Sequence, residues 1–138
     1  MKSEKANYAV EIPSILNELI TVEKLAEKVA DKHGMSEEDR DNVAISVTEA
    51  VNNAIVHGNG GITSKKVYVE FTVSGNELKI SVKDEGGGFD PSKLGNPLAP
   101  ENLLKESGRG IFILKALMDK VNFYFSSKGK IITMFKKI

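Results

Sequence analysis

Apolar residues recur along this chain with two different periods. Tyr8, Val10 and Ile12 alternate with polar neighbours and predict a strand ending at Pro13, a residue suited to the first turn of a helix. Ile15, Leu16, Leu19, Ile20, Val22, Leu25, Ala26 and Val29 then follow at three-to-four spacing, which predicts an amphipathic helix stopped at His33-Gly34. Ser36 with Asp39 three residues later resembles a capping box and starts a second helix that runs to about His57, where glycines at 58, 60 and 61 end it. Period two returns over residues 66–71 and 78–82, separated by Gly75-Asn76, a tight hairpin turn. A third helix over residues 111–118 precedes a closing hairpin of strands 121–125 and 131–135, turned at Lys128-Gly129. Residues 89–107 hold Pro91, Pro97 and Pro100 with little periodicity, a longer irregular stretch than a compact domain usually keeps without a functional reason or disorder.

Hairpin-linked strands with separately placed helices imply an α+β fold. The expectation is a two-layer α/β sandwich: a mixed, mostly antiparallel sheet covered on one face by three helices, in a single domain over residues 1–138. A chain of 138 residues is long enough for one core. Its 19 acidic and 19 basic residues balance without long runs of one sign, which argues against a direct nucleic-acid or anionic-membrane partner. The absence of cysteine excludes disulfides and thiolate chemistry, and two histidines make a poor zinc set. With no signal-peptide core and no membrane-spanning stretch, a cytoplasmic location is expected.

Three segments carry chemistry. Glu49 and Asn53 are four residues apart on the second helix, so a carboxylate and an amide share one face beside the apolar stripe of Val47, Val51, Ala54 and Ile55. The amide oxygen suits Mg²⁺ and the carboxylate suits proton abstraction, although the same pair also fits a solvated polar face. Asn52 points about 100° away around the helix and takes no metal role. After a strand comes Asp84-Glu85-Gly86-Gly87-Gly88, where a carboxylate can accept from the exocyclic amino group of adenine and repel the guanine carbonyl. A plain glycine turn remains the alternative. Gly108-Arg109-Gly110 opens the third helix with exposed amides suited to phosphate. Neither a dinucleotide fingerprint nor a P-loop is present, since position 113 is Ile113 and no G-x-x-x-x-G-K-[ST] occurs.

The order of these segments resembles the GHKL, or Bergerat-fold, ATPase superfamily, which includes sensor histidine kinases, DNA gyrase, MutL and heat-shock chaperones. Glu49-x-x-x-Asn53 matches its N box, Asp84-x-Gly86-x-Gly88 its G1 box and Gly108-x-Gly110 its G2 box, with the irregular stretch in place of the ATP lid. Within the superfamily, the run from Glu49 through His57-Gly58 and the run Ser107-Gly108-Arg109-Gly110-Ile111 look most like the bacterial anti-sigma-factor serine/threonine kinases.

That resemblance implies an ATP- and Mg²⁺-dependent kinase. Glu49 would be the general base, Asn53 the metal ligand and Asp84 the adenine acceptor. Gly86 and Gly88 would seat the base, while Ser107, Gly108 and Gly110 would lie along the phosphates. Thr133, on the last strand, stands where a family threonine approaches the nucleotide, or else simply packs on the sheet. Related kinases can carry a basic residue before the Ser-Gly pair; this chain has Glu106 there, leaving Lys105 and Arg109 as the nearest cations for the terminal phosphate or as solvated lid charges. His57 fits a helix terminus better than a phospho-acceptor. The implied partners are a small anti-sigma-factor antagonist as phospho-acceptor and a sigma factor, with a homodimer also in keeping with relatives. A nucleotide-sensing module without phosphotransfer and a free-standing histidine-kinase-like catalytic domain are the competing readings.

Overall fold

The structure is a computed structural model that describes residues 5–86 and 106–138, excluding the side chains of residues 106–109. Five strands form its sheet: β1 (Lys5–Pro13), β2 (Lys66–Ser74), β3 (Glu77–Lys83), β4 (Lys120–Ser126) and β5 (Gly129–Lys137). Their spatial order is β1-β2-β3-β5-β4, and every neighbouring pair is antiparallel. The Gly75-Asn76 turn closes Ser74 onto Glu77, with Gly75 at φ 62, a torsion that a two-residue hairpin readily gives to glycine. Because β5 lies between β3 and β4, the chain leaving β3 must cross over before it returns to the sheet.

Among the described residues three helices cover one face: α1 (Leu19–Lys32), α2 (Glu37–Asn53) and α3 (Glu106–Leu117). Alternation along the strands turns Val69, Phe71, Ile80, Val82, Ile132 and Met134 toward them, where they meet Val22 and Val29 of α1, Val43, Val47 and Val51 of α2, and Leu114 of α3. The start of α2 follows from its sequence. Ser36 accepts a hydrogen bond from the Asp39 backbone amide at 3.1 Å, and Glu37, Glu38 and Asp39 place negative charge at the positive end of the helix dipole.

Three boundaries differ from the periodic pattern. β1 ends at Pro13, as the alternation predicts, but no helix starts there. A short 3₁₀ turn (Leu16–Glu18) separates it from α1, leaving Ile15, Leu16 and Ile20 largely exposed. α3 begins at Glu106, five residues before the apolar run, so Gly108 to Gly110 lie inside its first turns. α2 does not continue regularly to His57: Asn53 is followed by a π turn (Ala54–Gly58), whose wider bonding is seen in the Asn59 amide donating to the Ala54 carbonyl at 2.7 Å.

Candidate functional site

Asp84 follows directly on β3 and is buried, with 1% of its surface exposed. Burial of a carboxylate requires partners, and β5 supplies them. The Lys130 backbone amide donates to Asp84 Oδ1 at 2.9 Å, while the Asp84 amide donates back to the Lys130 carbonyl at 3.1 Å. Gly86 donates a second bond to Oδ1 at 3.1 Å. The other oxygen, Oδ2, is buried with no partner among the described residues. A fixed acceptor of this kind invites a donor brought by a ligand.

Glycine makes the approach to that oxygen feasible. A Cβ added at Gly58, in the π turn, would stand 2.1 Å from Asp84 Oδ2, and one at Gly86 would stand 1.6 Å from the Gly58 carbonyl oxygen. The end of α2 and the end of β3 therefore touch backbone to backbone. This junction is locked by Asn59, which sequence reasoning passed over. Its Nδ2 donates to Ser14 Oγ at 2.9 Å and to the Lys66 carbonyl at 3.0 Å, and its Oδ1 accepts from the Glu85 amide at 2.7 Å. Asn59→Ala is expected to lower stability by about 2–4 kcal/mol, because buried donors and acceptors on three segments lose their partner together, and chemical denaturation at unchanged m-value measures it.

Asn53 is 5% exposed at the last position of α2, and its Oδ1 accepts from the Lys130 ammonium. Burial holds the Lys130 pKa below the ordinary lysine value, with the Asp84 carboxylate acting in the opposite sense. Glu49, one turn earlier on the same face, reaches toward α3: a Cβ at Gly110 would stand 3.3 Å from Glu49 Oε2. The fold thus gathers Glu49, Asn53, Asp84, Gly86 and Gly110 into one region, from three segments far apart in sequence.

Thr133 is not brought there. Lys130, Ile132 and Met134 share the helix-covered face of β5, so Thr133, paired with Ser81 and Asn122, belongs to the opposite face. Lys130 enters the site from β5 instead. Gly88 and Lys105 lie outside the described residues, as do the side chains of Ser107 and Arg109; the backbones of Ser107, Gly108 and Arg109 are helical.

The residues present fit an adenine nucleotide and a divalent metal. The unpartnered Asp84 Oδ2 suits the amino group of adenine. Asn53 Oδ1 already faces a cationic group. Among the described residues no three His, Asp or Glu side chains cluster as a metal cage.

Family comparison places this two-layer fold, with its carboxylate at the sheet end and its Glu-x-x-x-Asn helix face, in an ATPase class. Residues 12–136 match the histidine kinase-like ATPase domain, and the chain belongs to that family. Among its relatives is the serine-protein kinase RsbW of Staphylococcus aureus, 30% identical over an alignment covering all of this chain and 91% of the relative. The Oceanobacillus iheyensis serine-protein kinase RsbW is 31% identical over 80% of this chain and 73% of its own length. In fold, the chain is similar to a crystal structure of RsbU and RsbW domains from Mycobacterium tuberculosis, with TM-score 0.72 and 16% identity over 96% of this chain and 32% of that one. The histidine kinase domain of a blue-light activated kinase from Erythrobacter litoralis gives TM-score 0.57 and 18% identity over 91% of this chain and 61% of that one.

Proposed function

We propose that the chain is an ATP-dependent serine/threonine protein kinase that phosphorylates a small anti-sigma-factor antagonist and sequesters a sigma factor. The observation that carries this reading is the placement of Glu49 and Asn53 on one face of α2, with Glu49 against Gly110 and Asn53 linked through Lys130 to Asp84. Phosphoryl transfer asks the protein chiefly to position groups and neutralise charge, and a single rigid helix holding both residues does this. Asp84 Oδ2, buried with no partner among the described residues, receives the adenine amino group, and the absence of side chains at Gly58 and Gly86 lets the two backbones close around it. Asn53 Oδ1 ligates the magnesium that comes with the nucleotide, which supplies charge neutralisation at the phosphates. The Glu49 carboxylate takes the proton of the acceptor hydroxyl. The full-length similarity to serine-protein kinases supports a hydroxyl acceptor rather than a histidine.

The test is to incubate the protein with Mg-ATP and a cognate anti-sigma-factor antagonist. An acid-stable phosphoserine or phosphothreonine on the antagonist, located by mass spectrometry, is the expected result. An acid-labile phosphohistidine, or no phosphate at all, overturns the reading.

A further inference from the structure

Lys130 occupies a position the proposed chemistry does not assign. Its backbone is tied to Asp84 in both directions, so the start of β5 is fixed relative to the acceptor for the base. From that anchor the side chain runs inward, on the helix-covered face, and its ammonium donates to Asn53 Oδ1. The amide must present its oxygen here, because its NH₂ group would set donor against donor. One residue therefore bridges the two ends of the site, from the adenine carboxylate to the oxygen proposed as the metal ligand.

An ammonium and a magnesium ion cannot both take Asn53 Oδ1, because two cations at one neutral oxygen repel. Loading of the metal must push the ammonium off. Its four-carbon stem lets it move without disturbing the backbone bonds to Asp84. Phosphates of a nucleotide held by its base at Asp84 and by its metal at Asn53 would pass close to Lys130, which is bonded to both residues, so the displaced ammonium would stay beside anionic oxygens.

We propose that Lys130 is a resident cation of the nucleotide site, which competes with the divalent metal for Asn53 and serves the nucleotide phosphates when divalent metal is scarce. The inference rests on the nucleotide-binding reading above. Its consequence is ATP binding that depends only weakly on magnesium.

The test uses the whole chain and measures affinity rather than turnover. Binding of a non-hydrolysable ATP analogue is measured by calorimetry with excess magnesium and again with EDTA, for the natural protein, Lys130→Met and Lys130→Arg. The natural protein is expected to lose no more than about tenfold in affinity on chelation, since a positioned ammonium still meets the phosphates. Lys130→Met keeps the backbone bonds to Asp84, and its affinity with magnesium is the reference for its own loss on chelation. In EDTA it should lose at least about tenfold more than the natural protein, because no cation then faces the phosphates. Lys130→Arg retains the charge and should keep the natural ratio.

A natural protein that loses more than about 100-fold on chelation overturns the proposal without reference to any variant. So does a Lys130→Met protein with the natural ratio, and in both cases the nucleotide-binding reading stands. If the natural protein binds no nucleotide in either buffer, that reading falls and takes the role of Lys130 with it.

Discussion

Asp84→Asn is expected to weaken ATP binding by about 100-fold, close to 2.7 kcal/mol, with little change in the fold. The reason lies in how the two carboxylate oxygens are used. Oδ1 is committed to the backbone amides of Gly86 and Lys130, and asparagine keeps that oxygen in place. Oδ2, buried with no partner among the described residues, is replaced by an NH₂ group of the same size. Adenine also presents an NH₂ there, so donor meets donor at a buried position. The same substitution should relax the choice of base. Inosine carries a carbonyl oxygen where adenine carries its amino group, and that oxygen accepts from the new amide. The ratio of ATP to ITP affinity is therefore expected to fall in the variant, and calorimetric titration with the two nucleotides measures it. An Asp84→Asn protein that binds ATP as the natural chain does would remove Asp84 from base recognition.

The parts of this site that were legible in the sequence are those where one local rule acts without competition. Ser36 and Asp39 mark the start of α2 because a cap is a contact three residues apart, and the Glu49-Asn53 pair follows from helix periodicity alone. Asp84 stands out as a carboxylate followed by glycines at a strand end, a pattern that fits a plain turn equally well until the order of the other segments is set beside it. The early start of α3 could not be read, since serine and two glycines are poor helix formers, and the packing of α3 on α2 outweighs that propensity. The π turn leaves no mark in composition, yet it brings Gly58 against Asp84.

Lys130 and Asn59 were hidden for a different reason. A lysine near a hairpin reads as solvent-facing, and an asparagine among glycines reads as a turn residue. Only the antiparallel pairing of β3 with β5 shows that Lys130 backs Asp84, and only the meeting of three loops shows what Asn59 holds. Thr133 illustrates the same limit from the other side. Strand alternation is visible in sequence, but which face the alternation presents to the site is fixed by the register with neighbouring strands.

Glu49→Gln is expected to separate binding from chemistry. The substitution preserves side-chain length and the ability to accept hydrogen bonds, so the contact with Gly110 and the packing of α2 on α3 remain. What is lost is basicity. If Glu49 accepts the proton of the attacking hydroxyl, kcat should fall by about 10²–10⁴, the usual contribution of a positioned general base. ATP affinity should stay within about twofold, because the proposed function assigns adenine to Asp84 and the metal to Asn53, neither of which depends on the charge of Glu49. Single-turnover transfer to the antagonist, followed at saturating Mg-ATP, isolates the chemical step from product release. Equal loss of binding and turnover would mean that Glu49 acts through nucleotide placement; unchanged turnover would mean that the proton goes elsewhere. The pattern expected here, full binding with slow transfer, also distinguishes Glu49 from Asp84, whose replacement weakens binding itself. The two carboxylates are expected to have different tasks because one is buried beside β5 with an oxygen that has no partner among the described residues, and the other stands half-buried at the face of α2 toward α3.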